Sequence, residues 1–185
     1  MKRTISCEAI LGIALVLFYT SVASQAQSDS GMPQLAQEED LAKDARVKWL
    51  KRNAVGVRSV DPKDEDFHDL MPLKKVLRNV QIVMLGESTH GDGATFLGKT
   101  RLIKFLHQKM GFDVLVFESG LYEMSKVWES FRQGDHSLAA LQQGLFTIWS
   151  GSDQIYPLFD YVVGKARSER PLELAGFDSQ ISGSA

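Results

Sequence analysis

The stretch Gln81-Ile82-Val83-Met84-Leu85-Gly86-Glu87-Ser88-Thr89-His90-Gly91 constrains this chain more than any other. Its first five residues are mostly β-branched or apolar and do not alternate with polar ones, which predicts a short strand buried on both faces. Gly86 breaks the run and Gly91 closes the polar segment. Glu87, Ser88, Thr89 and His90 therefore sit where a parallel strand hands over to a helix. Ligands of open α/β sheets bind outside the carboxyl ends of strands, so an acid and a histidine three residues apart here form a candidate site. The plainer alternative is a polar turn that only caps the next helix.

The segments that follow extend the pattern. A helix capped by Asp92 or Thr95 is predicted to run to about Met110, with Phe96, Ile103, Leu106 and Met110 at helical spacing. Lys99 falls on that inward stripe, whereas Arg101 points about 200° round the helix. Gly111 stops the helix, and Val114–Glu118 reads as a second buried strand. Strand, crossover helix and strand of these lengths predict a right-handed βαβ unit. Leu172–Asp178 is a third strand, after helices at about Tyr122–Arg132, Ser137–Phe146 and Asp153–Ala166. The expected fold class is thus α/β, a parallel-sheet βαβ core with flanking helices. Three strands ending in Glu87, Glu118 and Asp178 would line one sheet edge with carboxylates around His90. His107 reads as a packing residue at the stripe's edge, His68 and His136 as solvated loop residues, and Trp128 and Trp149 as core or pocket wall.

Ahead of this core, Leu70, Leu73, Val76 and Leu77 mark a short amphipathic helix, reached through a turn-rich connection at Asp61-Pro62. A further helix is expected from Glu38, with acids in its first turn and Gly56 closing it. Residues 27–37 are polar and small, a flexible leader. Residues 1–26 read as a signal peptide: Lys2 and Arg3, an apolar run from Ala9 to Phe18, and a small-x-small site at Ser24-Gln25-Ala26. The run is short for a membrane span, which needs about 20 residues. Cleavage would remove Lys2, Arg3 and Glu8, taking the formal charge from −2 to −3, and with them Cys7, the sole cysteine. The expectation is an exported domain over residues 38–185, periplasmic or secreted, without disulfides and without stable membrane insertion. A composition 44% hydrophobic and 24% charged suits one globular domain, and its slight negative charge offers no basic footprint for nucleic acid.

Two chemistries fit a histidine among carboxylates. His90 could act as a general base toward water, with Glu87 or Glu118 orienting the imidazole. Alternatively, the histidine and acids could hold a divalent ion, a set poor for zinc but tolerable for a harder cation. Ser88 lies outside any G-x-S-x-G elbow, which weakens a serine route.

Gly86-Glu87-Ser88-Thr89-His90-Gly91, then Gly111-Phe112 with a strand ending in Glu118, then Gly176-Phe177-Asp178-Ser179-Gln180, form three ordered blocks. Together, from about Leu70 to Gly183, they resemble the erythromycin esterase family. The resemblance implies an ester or lactone hydrolase acting on a small molecule of macrolide type. It implies a metal-independent mechanism without cofactor, in which His90, Glu87 and Glu118 are catalytic. Lys99 stands where the family usually carries a functional arginine, so Lys99 and Asp178 are the expected substrate-binding residues. Ala94 stands where another acid is common. Family members are several hundred residues long, and this chain ends near the midpoint of their pattern. The expectation is therefore an N-terminal portion, incomplete against that pattern, or a degenerate relative that binds a ligand at the same site without turnover.

Overall fold

The computed structural model describes residues 45–87, 89–135 and 137–180. The expected signal peptide, the leader, the first turns of the helix from Glu38, Ser88 and His136 lie outside those residues. The chain divides into two units at Arg58/Ser59. In the first, helix α1 (Ala45–Asn53) carries Lys51 and Arg52 in its last turn, where cations oppose the negative end of the helix dipole.

In the second unit, the acid-rich segment from Ser59 to Asp69 leads through a 3₁₀ turn (His68–Leu70) into α2 (Pro72–Leu77), whose proline sits at a helix start where no N–H is needed. The predicted short helix is therefore present. His68 is exposed, as expected for a loop residue.

Helix α3 (Gly93–Phe105) begins at Asp92, whose carboxylate accepts from the Ala94 backbone N–H and the Thr95 hydroxyl. Asp92 is thus the cap and Thr95 its partner. After Phe105 the helix widens into a single π turn (Leu106–Met110), and Gly111 ends it in the left-handed region at φ 82°. The helix is buried nearly all round: Phe96, Ile103 and Phe105 are joined inside by Lys99, Thr100, Arg101 and Lys104. Arg101 forks onto both carboxylate oxygens of Asp69 and donates to the carbonyls of Ser59, Asp64 and Asp66. Lys104 reaches the Pro62 carbonyl and Glu65. What reads in sequence as a loose connection is a belt wrapped around two buried cations of α3.

Strands β1 (Val114–Gly120) and β2 (Glu173–Asp178) form a two-stranded parallel sheet in which Val114 faces Glu173 and Phe117 faces Gly176. The crossover between them runs through α4 (Leu121–Gln133), α5 (Leu138–Gln142), α6 (Thr147–Ser150) and α7 (Tyr156–Lys165). The expected helix over Ser137–Phe146 ends early, at Gln142, and just beyond it Gly144 passes against Val127 and the Glu123 carbonyl, where a side chain would collide. The core gathers Phe96, Phe117, Met124, Val127, Trp128, Phe131, Leu158, Phe159 and Leu174 beneath one sheet face. On the other face Val116 and Phe177 are exposed.

One expectation needs correcting. Gln81–Leu85 forms no ladder with any described strand, so Glu87 does not end a paired strand, and the parallel partner of β1 is β2. Ile82 and Met84 are 79% and 83% exposed while Val83 and Leu85 are half-buried, and Leu85 packs on the core. An uninterrupted apolar run carries no signal of whether both its faces are covered.

Candidate active site

The turn between this segment and α3 builds the site. Gly91 adopts φ 82°, a left-handed conformation glycine takes without Cβ strain, and Asp92 then starts the helix. The turn thereby sets His90 two residues before the Asp92 cap and Glu87 three residues earlier. Lys99 comes up from the second turn of α3.

Glu87 joins the other two. Its Oε1 lies 2.6 Å from His90 Nδ1, and its Oε2 accepts from Lys99 Nζ at 2.8 Å. A carboxylate only accepts hydrogen bonds, so Nδ1 carries the proton, and in the neutral ring the lone pair falls on Nε2. The Glu87 and Lys99 side chains are 9% and 10% exposed, whereas His90 is 63% exposed. A buried ion pair thus holds an exposed imidazole by one edge. Lys99 and Glu87 compensate each other's burial, which is costly for either charge alone.

The aromatic side of the site comes from α6. Trp149 stands edge-on to His90 at 90° with ring centroids 6.0 Å apart, and Lys99 Nζ lies 5.8 Å from the indole centroid. Phe96 and Phe117 pack against the same indole.

The other two predicted site residues share none of these bonds. Glu118 is exposed on β1, and no hydrogen bond or ion pair among the described residues joins it to His90, Glu87 or Lys99. Asp178 ends β2 and accepts from the Gln180 backbone N–H in a local turn. Of the three acids expected around His90, Glu87 is the one bonded to it among the described residues, and the segment before Glu87 is not paired into the sheet that carries the other two. Among the described residues no three His, Cys, Asp or Glu side chains gather closely enough to hold a metal ion. No helix among them is long and apolar enough to cross a membrane.

A second histidine, this one buried, lies at the π turn. His107 Nδ1 is 2.6 Å from the Tyr161 hydroxyl, and its buried Nε2 has no hydrogen-bond partner among the described residues. Burial, with Arg170 and Lys165 nearby, pushes its pKa below the ordinary histidine value, and burial raises that of Tyr161.

No family model matches the chain. Over 132 residues, 71% of its length, it is 36% identical to YbfO of Bacillus subtilis (strain 168), provisionally named a hydrolase. It is 31% identical over 75 residues to the type II erythromycin esterase of Escherichia coli, and 28% over 121 residues to the type I enzyme. The chain is related to the erythromycin esterases.

It spans 28%, 18% and 29% of the lengths of these three relatives. Among solved structures, a succinoglycan biosynthesis protein matches with a TM-score of 0.64 and 27% identity, over 80% of this chain and 36% of its own. A Bacillus cereus protein matches in fold with a TM-score of 0.58 at 23% identity, over 71% of this chain and 32% of its own. In this erythromycin-esterase-like chain, His90, Glu87 and Lys99, all singled out in the sequence, lie in one hydrogen-bonded cluster. It left Trp149 open between core and pocket wall, and the rings of Phe96 and Phe117 give no local signal that they seat an indole beside a histidine.

Proposed function

We propose that the chain carries the catalytic turn of an exported ester or lactone hydrolase, with His90 as general base. The observation behind this reading is the bridge made by Glu87, one oxygen to His90 Nδ1 and the other to Lys99. With Nδ1–H held by Glu87, Nε2 takes a proton from water as the water oxygen bonds to the substrate's carbonyl carbon. Glu87 stabilises the imidazolium so formed, much as an aspartate serves a triad histidine. When the tetrahedral intermediate collapses, the ester C–O bond breaks and the leaving alkoxide takes the proton back from Nε2, giving an acid and an alcohol. In this reading Lys99 chiefly anchors Glu87 rather than binding substrate. A macrolide lactone is the substrate the named relatives suggest, and the signal-peptide pattern read in the sequence of residues 1–26 supports a periplasmic or secreted location.

A second reading, a relative that binds a ligand at this turn without turnover, draws support from the lack of any hydrogen bond or ion pair from Glu118 or Asp178 to His90 among the described residues. One experiment separates them: hydrolysis of p-nitrophenyl esters and of a 14-membered macrolide lactone by the chain and by His90→Asn, each with and without chelator. Chelator-insensitive hydrolysis that disappears in the variant is the expected result. Equal hydrolysis by both proteins would remove His90 from the mechanism.

A further inference from the structure

An imidazole held by one hydrogen bond can still swing about the line of that bond. His90 is in this position: Glu87 grips Nδ1, and most of the ring is exposed. The indole of Trp149 meets it edge-on at 90°, and perpendicular aromatic contacts of this separation are attractive as well as space-filling. A hydrogen bond at one edge and a ring wall at right angles together define the plane of the imidazole, and so the direction in which Nε2 points. The same indole lies 5.8 Å from the Lys99 ammonium, within cation–π range, so Lys99 is held between the Glu87 carboxylate and an aromatic face.

Trp149 is itself firmly placed. Its ring is seated on Phe96 of α3 and Phe117 of β1. Its backbone N–H donates to the Phe146 carbonyl, and the Phe146 N–H donates to the hydroxyl of Ser119, which is fully buried near the end of β1. A continuous path of packed rings and hydrogen bonds therefore ties the exposed histidine to the sheet.

We infer that Trp149 is a positioning residue that fixes the plane of the His90 ring and keeps the Lys99 ammonium against Glu87. The inference rests on the proposed role of His90 as base. It matters for rate because a misplacement of about 1 Å at a reacting group can cost on the order of 10²-fold.

The test combines spectra that need no turnover with kinetics. In the full chain labelled with ¹³C-histidine, with the His90 signal assigned through His90→Asn, the ring protons of His90 should show nuclear Overhauser contacts to the indole and a ring-current shift. Trp149→Leu should abolish the shift, and Trp149→Phe should keep part of it. On a p-nitrophenyl ester, Trp149→Leu should lower kcat by about 10-fold to 10²-fold with little change in KM, and Trp149→Phe should recover most of the loss. Absence of any contact between the two rings in the unsubstituted chain would overturn the inference, even if Trp149→Leu fails to fold. So would His90 signals in Trp149→Leu that superimpose on the native ones. If the ring signals respond as expected while His90→Asn leaves hydrolysis intact, the positioning stands and the role of His90 as base fails.

Discussion

Glu87 Oε1 lies 2.6 Å from His90 Nδ1 while Oε2 of the same carboxylate lies 2.8 Å from Lys99 Nζ, so a single acid orients the imidazole and neutralises a buried cation. Glu118 shares neither contact. Glu87→Gln should therefore lower ester hydrolysis by about 10²-fold to 10⁴-fold, since an amide cannot stabilise an imidazolium as a carboxylate does. Glu118→Gln should have a clearly smaller effect. Steady-state kinetics of the two variants on one ester settle the order, and a larger loss in Glu118→Gln would transfer the orienting role to that residue.

Lys99→Met strands the Glu87 carboxylate in a site where it is nearly enclosed. Breaking one side of such a pair costs about 3–5 kcal/mol, so this substitution should lower stability as well as activity. Urea titration followed by circular dichroism measures the loss. An unchanged midpoint would show that Lys99 faces the ligand rather than anchoring the acid.

Arg101 holds the Ser59–Asp69 belt through Asp69 and three backbone carbonyls. Arg101→Lys keeps the charge but loses the planar fork, and cannot satisfy this set of acceptors. The belt should become a preferred site of limited proteolysis at temperatures where the native chain resists cleavage. A digestion pattern identical to native would contradict the anchoring role.

His107 titrates below its ordinary value, chiefly through burial, with Arg170 and Lys165 lowering it further and Asp113 opposing them. Between the folded and unfolded values the unfolded chain binds the extra proton, so stability rises with pH there. The contribution is fully present above the unfolded pKa of about 6.5 and is lost as pH falls below it. Urea midpoints at pH 7.5 and pH 5.5 should differ more for the native chain than for His107→Asn. Equal differences would place the acid sensitivity elsewhere.

Gly176 faces Phe117 across the sheet, and a methyl group on it would run into the carbonyl oxygens of Ser119 and Gly120. Backbone atoms give way poorly, so Gly176→Ala should cost about 1–3 kcal/mol, measured by thermal unfolding. Val116→Thr, on the exposed face of the same sheet, should cost less than Gly176→Ala.

Local rules carried much of this chain. The Asp92 cap, the glycine that ends the helix at position 111, the inward stripe of Phe96, Lys99 and Ile103, and the strands at Val114 and Leu172 are written in neighbouring residues, because capping, turn chemistry and periodicity act over a few positions. The cluster of His90, Glu87 and Lys99 was legible for the same reason: a tight turn and one helical turn bring residues of known spacing together.

What spans long stretches of sequence was decided only by the tertiary structure. The segment Gln81–Leu85 looks like a buried strand, but strand formation depends on a partner's backbone, and no described strand pairs with it. Glu118 shares the apolar context of a strand end with Glu87, yet only packing decides which of the two bonds to His90. Arg101 lies on the far side of α3 from Lys99, and its burial follows from acids and carbonyls more than thirty residues away that fold back onto it. Trp149 reaches the site by the same kind of return, from part-way along the crossover after β1. Spacing along the chain predicts which residues can share a face; which faces meet is set by closing long loops over a common core, and no local pattern encodes that.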